Sequence, residues 1–135
     1  MLNSRWLMAH ILIVDDDVLT QQLIYEVITA AGHTCDKACD GAEAVEQVRK
    51  KKYDLLVIDW MMPRMSGPQA VAAIRANPKF KDLKIIMCTS MSVTKDVDAA
   101  FRAGANDYVL KPINLELLVV KVHKALGLPP PAEPA

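Results

Sequence analysis

Four consecutive apolar residues, Leu55 to Ile58, run straight into an acid, Asp59, and then into a loop of Met, Pro and Gly that ends at Gly67. No other stretch of the chain restricts its fold so much. A short unbroken apolar run suits a strand covered on both faces, as strands of parallel sheets are. Asp59 then stands at the carboxyl end of a rigid strand, where a carboxylate beside the core is costly unless a cation or hydrogen-bond donor meets it. The rest of the sequence has to supply what meets it.

The pattern around this strand is an alternation. His10 to Val14 reads as a first strand, and Leu19, Leu23, Ile24, Val27, Ile28 and Ala31 then recur at helical spacing until Gly32. Thr34 to Ala38 is a weaker strand. Asp40 with Glu43 opens a helix carrying Ala44, Val45 and Val48, and the basic run Arg49 to Lys52 suits that helix's C-terminal dipole. After the strand Asp54 to Asp59, Gly67 and Pro68 start a helix with Pro at the first helical position, buried through Ala70, Val71 and Ile74 and ended by Asn77-Pro78. Lys84 to Cys88 leads to Thr89 as a fourth strand. Ser92 or Thr94 caps the next helix, with Val93, Val97, Ala100 and Phe101 on one side and Gly104 at its end. Asp107 to Leu110 is a fifth strand, and Asn114 caps a last helix from Leu115 to Leu126. Five strand-helix units in alternation predict one α/β domain, a parallel sheet with helices on both faces and a crevice outside the strands' carboxyl ends.

We place the domain at 9–127, between a flexible leader at 1–8 and a Pro-rich tail at 128–135 that is a free end or the start of a linker. Lys+Arg and Asp+Glu are both 16, which argues against direct nucleic-acid binding through counterion release. The cysteines Cys35, Cys39 and Cys88 form no CxxC pair, and His10, His33 and His123 lack ligand spacing. The cysteines read as buried, reduced thiols of a cytosolic protein, and the histidines as structural or surface residues. The first residues lack a signal-peptide cleavage site, and no apolar run approaches the roughly 18 residues of a spanning helix, so a soluble cytoplasmic protein without membrane insertion is expected.

The polar residues at the strand ends form a set: Asp15 and Asp16 after the first strand, Asp59 at the third, Thr89 at the fourth and Lys111 after the fifth. In a parallel sheet these ends share one edge. Two carboxylates about 4 Å apart repel by roughly 4 kcal/mol at an effective dielectric near 20, so three converging acids need a cation or must protonate. A hard divalent ion with oxygen ligands, Mg²⁺ above all, fits, with the Asp15–Asp16 pair holding it in part directly and in part through water. Lys111 and the Thr89 hydroxyl suit phosphoryl oxygens, and Asp59 is the acceptor in a phosphoryl transfer onto a carboxylate.

The segments ILIVDDD, LLVIDWMMPRMSG, IIMCTSMS and NDYVLKP, in this order and at these separations, resemble a two-component response regulator receiver domain of the chemotaxis-regulator type, over about His10 to Leu126. The resemblance implies a flavodoxin-like, doubly wound five-stranded sheet of order 2-1-3-4-5 with five helices. It implies that a sensor histidine kinase, a phosphotransfer protein or a small acyl phosphate phosphorylates Asp59, with Mg²⁺ on Asp15, Asp16, Asp59 and the Met61 carbonyl. It implies that Thr89 and Lys111 bind the phosphoryl group, that Lys111-Pro112 is cis, and that Thr89 and Tyr108 move together as a switch of the face formed by helix 4, strand 5 and helix 5. Such a protein is a signalling module, assisting only its own phosphorylation and dephosphorylation.

Met61 and Met91 occupy positions that border the attacking water in receivers, and both are apolar, which predicts slow loss of the phosphoryl group. Leu117 and Val120 are surplus to the last helix's core stripe and mark an interface, for a homodimer or a downstream effector, with packing under the last loop as the plainer reading. Two rival functions are a pseudo-receiver that binds partners without phosphorylation and a haloacid-dehalogenase-type phosphatase built on Asp15 and Asp17. The first leaves a full acid, Thr and Lys set unexplained, and the second leaves Asp59 idle.

Overall fold

The computed structural model describes residues 8–90 and 94–131. Outside them fall Met91, the cap expected at Ser92, Val93, nearly all of the leader and the last four residues of the tail. Five strands and five α-helices alternate: β1 (His10–Val14), α1 (Val18–Ala30), β2 (Thr34–Ala38), α2 (Gly41–Lys50), β3 (Leu55–Asp59), α3 (Gly67–Arg75), β4 (Lys84–Thr89), α4 (Thr94–Ala103), β5 (Asp107–Leu110) and α5 (Leu115–Leu126). A 3₁₀ turn at Pro78–Phe80, unanticipated from the sequence, follows α3. The strands pair in parallel in the order β2-β1-β3-β4-β5.

Every residue of β3 is buried, and its side chains divide by the two-residue period of a strand. Leu56 and Ile58 join one apolar layer with Ala44 and Val48 of α2, Val71 and Ile74 of α3 and Ala100 of α4. Leu55 and Val57 join the other, with Ile24 and Ile28 of α1 and Leu118 and Val122 of α5. Each such side chain contributes roughly 1.5–3 kcal/mol on leaving water, so β3 is anchored from both sides and Asp59 at its end is held firmly.

Local chemistry sets the helix ends. Asp17, Asp40, Ser66 and Asn114 each accept a backbone N–H three residues on, satisfying donors that a helix start leaves open. Ser66 and Gln69 complete a reciprocal capping box. Gly67, rather than Pro68, is therefore the first residue of α3. In α2 the expected box is displaced, because Glu43 reaches the Cys39 N–H at 2.9 Å. Gly127 ends α5 with φ +70°, the left-handed conformation that glycine adopts without a Cβ penalty.

Two apolar faces differ from the sequence reading. On α1 the buried residues are Gln21, Ile24 and Ile28, while Leu19 and Leu23 are exposed, as is Val18. The first half of this helix is apolar on several sides, so spacing alone did not select the inward stripe. On α4, Ala100 is buried but Phe101 lies outward, its ring edge-on to Tyr108 at a centroid separation of 6.1 Å. The helix is described from Thr94, so Thr94 lies within it.

Gly67 is required by crowding at the end of β3. A Cβ there would lie 2.3 Å from the Asp59 carbonyl oxygen and 2.9 Å from Met87 Cε, and the Gly67 N–H already donates to the Trp60 carbonyl at 2.9 Å. We expect Gly67→Ala to lower unfolding stability by about 1–3 kcal/mol, the usual penalty for overpacking a filled site. A urea midpoint equal to that of the wild type would refute this.

Candidate functional site

Register brings the strand ends together. Val14 pairs with Ala38 on one side and Ile58 on the other, Asp59 pairs with Cys88, and Thr89 pairs with Leu110. Asp15, Asp16, Asp59, Thr89 and Lys111 therefore all emerge on one edge. The Lys111 N–H donates to the Thr89 carbonyl at 2.7 Å, which extends the β4–β5 ladder to the residue that carries the ammonium. The Lys111-Pro112 peptide bond is cis.

Asp15, Asp16 and Asp59 each present a carboxylate oxygen within 4.8 Å of the other two. Asp15 and Asp59 are buried, and Asp16 is exposed. Lys111 Nζ lies 2.9 Å from Asp59 Oδ1 and 3.3 Å from Asp15 Oδ2, so one ammonium bridges two acids. Burial above all pushes the Asp59 carboxyl above its usual range; the Lys111 hydrogen bond opposes this, and the Asp15 and Asp16 charges add to it. Burial pulls the Lys111 ammonium down, but its bonds to Asp59 and Asp15 and their charges outweigh that and hold it protonated. An ion pair would ordinarily lower an acid. Here burial and the neighbouring carboxylates outweigh Lys111, and the cluster suits a divalent cation with oxygen ligands.

The surroundings hold the acids in place. Asp15 Oδ1 accepts the Asp17 N–H at 2.9 Å. The buried Gln21 amide donates to the Ala38 carbonyl at 2.8 Å and to the Asp15 carbonyl at 3.3 Å, tying the β1–α1 turn to the end of β2. The sequence reading passed over Gln21. Its signal was a polar residue at the three- and seven-residue spacing shared with Ile24 and Ile28. The loop after β3 is tied to α2 by an Arg64–Asp40 ion pair, with Arg64 at φ +68°. Met61 lies in that loop with an exposed side chain, so no polar group is offered there.

Tyr108 is half-buried between α4 and α5, edge-on to Phe101 and with Lys121 Nζ 4.8 Å from its ring centre. Leu117 and Val120 are exposed on α5, as are Phe101 on α4 and Leu110 on β5. Asp17, the second acid of the phosphatase alternative, is occupied as the α1 cap by the Thr20 hydroxyl and N–H. A separate cleft of about 740 Å³ lies near the starts of β3 and β4, lined by Arg49, Lys52, Tyr53, Lys79 and Lys84 among others, and takes no part in the acid cluster.

A five-stranded parallel sheet of this order with acids and a lysine at its carboxyl edge defines a receiver-type α/β domain. Residues 11–123 match the family model of the response regulator receiver domain, and the chain belongs to that family. It is CheY-like: over 119 residues it is 34% identical to a chemotaxis protein CheY homolog of Campylobacter jejuni, covering 87% of this chain and 92% of the relative. The receiver domain of the sensor histidine kinase PA1611 from Pseudomonas aeruginosa, solved with a magnesium ion coordinated in its active-site cleft, superposes with a TM-score of 0.81 at 28% identity, covering 88% of this chain and 98% of that one. The receiver domain of Saccharomyces cerevisiae Ssk1, solved in complex with the histidine phosphotransfer protein Ypd1, gives 0.82 at 27% identity, covering 87% and 88%. Proteins of this family are signalling proteins rather than enzymes. Among the described residues no helix is long and apolar enough to cross a membrane.

Because its folded value is raised, ionised Asp59 costs stability: the penalty is absent below the ordinary carboxylate value of about 3.9 and grows as pH rises through the folded value. Asp59→Asn should therefore raise stability at neutral pH by roughly 1 kcal/mol, chiefly by removing the cost of a buried charge, with the gain shrinking toward about pH 4. Thermal unfolding of both proteins across pH checks the sign. A destabilised variant at pH 7 would contradict it.

Proposed function

We propose that the chain is a phosphoacceptor receiver in which Asp59 takes a phosphoryl group from the phosphohistidine of a sensor histidine kinase or phosphotransfer protein. The observation that carries this is the bridging of Asp59 and Asp15 by Lys111 from the far end of the chain, inside a cluster of three acids. An Asp59 oxygen attacks phosphorus, the bond from phosphorus to the histidine nitrogen breaks, and its electron pair stays on the imidazole. Lys111, already 2.9 Å from Asp59, moves its ammonium onto a phosphoryl oxygen of the product, and the Thr89 hydroxyl donates to another.

The donor set suits Mg²⁺, with Asp15, Asp16, Asp59 and the Met61 carbonyl as its protein ligands. When bound, the ion would neutralise charge on the transferring phosphoryl oxygens. The acids orient the acceptor and repel anions that bring no cation. The added dianion biases a two-state equilibrium in which Thr89 and Tyr108 shift, remaking the face of α4, β5 and α5. The exposed Leu117 and Val120 support an interface there, for a second copy or an effector. The chain assists its own phosphorylation and, with apolar side chains at Met61 and Met91, only slowly its hydrolysis. A cytoplasmic domain at 9–127 fits this role.

Incubation with acetyl phosphate and Mg²⁺ followed by intact-mass measurement should show one added phosphoryl group on the wild type and none on Asp59→Asn. No gain by the wild type favours the pseudo-receiver, and a gain by Asp59→Asn displaces the acceptor. In the same assay Met61→Asn with Met91→Glu should speed decay by about tenfold, as positioning the attacking water would. Separately, Leu117→Glu with Val120→Lys should abolish self-association or effector binding in sedimentation experiments. Unchanged association would return these residues to local packing.

A further inference from the structure

His33 and His123, 90 residues apart in sequence, face each other with Nε2 atoms 2.9 Å apart, and both are buried. Their rings meet edge to face, at 77° and a centroid distance of 5.0 Å. The Ala9 N–H lies 3.0 Å from His33 Nδ1, and the Pro129 carbonyl lies 2.8 Å from His123 Nδ1. These two outer partners determine where the hydrogens are. An amide only donates, so His33 Nδ1 is bare and its hydrogen is on Nε2. A carbonyl only accepts, so His123 carries its hydrogen on Nδ1 and its Nε2 is bare. The constraints agree: Ala9 donates to His33, His33 to His123, and His123 to Pro129. The relay links the residue before β1, the turn after α1, the last turn of α5 and the start of the Pro-rich segment.

The relay is complete only with both rings neutral. A proton added to His33 must occupy Nδ1, facing the Ala9 N–H. One added to His123 must occupy Nε2, facing the His33 N–H. Either addition sets hydrogen against hydrogen and breaks a link in a buried site, where a polar group left without its partner is destabilising. Neither ring can instead serve a shared metal ion while Ala9 holds His33 Nδ1, because the bridging hydrogen occupies His33 Nε2.

We propose that His33 and His123 form a proton-sensitive clasp that seats Leu128 and Pro129 when the pair is neutral and releases them when it gains a proton. The site lies before β1, whereas the acid cluster lies after it, so the clasp is separate from the phosphoacceptor chemistry. Burial first, and then His123, holds His33 below its ordinary value, while Asp54 pulls the other way. Asp54 is itself engaged with the His10 N–H at 2.8 Å. On β1 the His10 ring meets Asp36 and the Lys52 carbonyl. On β2 Asp36 is held by Lys51 and Tyr53, and burial keeps Cys35 a thiol, pushed up to about 12. The last turn of α1 has no charged residue, and on α5 Lys121 is taken by Asp107 and Tyr108 while Lys124 is exposed. With the folded value of His33 depressed, its contribution to stability is full above about pH 6.5 and is lost as pH falls through the folded value.

Nitrogen-15 NMR of the full chain between about pH 8 and about pH 5 tests this, the range over which histidine titrates. At the alkaline end the hydrogen should be on Nε2 of His33 and Nδ1 of His123. On acidification the His33 ring and the Ala9 and Leu128 amides should shift with one midpoint, and protection of both amides should fall by about tenfold per pH unit. The Leu128 N–H reports the segment because it donates to the His123 carbonyl at 2.8 Å. In His123→Gln this shared dependence should vanish, and in Asp59→Asn it should persist. Other tautomers, or a His33 titration that leaves Leu128 unmoved, would overturn the clasp. These readings need only the wild type, so they stand even if His123→Gln fails to fold.

Discussion

Three carboxylates brought to one sheet edge against a single ammonium are the interaction on which the rest of this molecule depends. Nothing about the acids favours their meeting; like charges at such range repel by several kcal/mol. They meet because β1 and β3 are adjacent, parallel and buried on both faces, and because each acid follows directly on an apolar run. The hydrophobic layers hold the site in a geometry that the site alone would not adopt. Lys111 relieves only part of the repulsion, and the unrelieved part suits a cation with oxygen ligands.

The supporting residues make that geometry stiff. Gly67 lets α3 start against the Asp59 carbonyl, Gln21 ties the β1 turn to β2, and Arg64 ties the loop after β3 to the cap of α2. They remove slack around Asp59, the proposed acceptor, where a displacement of an ångström can cost a transfer reaction orders of magnitude.

The face of α4, β5 and α5 is arranged more loosely. Tyr108 is only half-buried, held by the edge of Phe101 and by Lys121 rather than by a filled core. Under the proposed function, charge would be added at the firmly held Asp59 and felt, through β4 and β5, at a half-packed surface with room for a second arrangement.

Periodicity, caps and the strand-end acids carried most of this protein in linear form. Leu55 to Ile58 implied a doubly covered strand, and five strand-helix alternations implied the parallel sheet; the shared edge of Asp15, Asp16, Asp59, Thr89 and Lys111 follows from that alternation. Asp40 and Asn114 announced helix starts because capping is local chemistry. Tertiary structure alone decided which side of α1 faces inward, leaving Leu19 and Leu23 exposed and Gln21 buried, and it turned Phe101 outward onto Tyr108. It also joined His33 to His123, which no spacing rule connects. The division has one physical reason. Backbone period and capping act over a few residues and are written in order along the chain, whereas the pairing of remote side chains depends on which surfaces two buried layers leave facing each other.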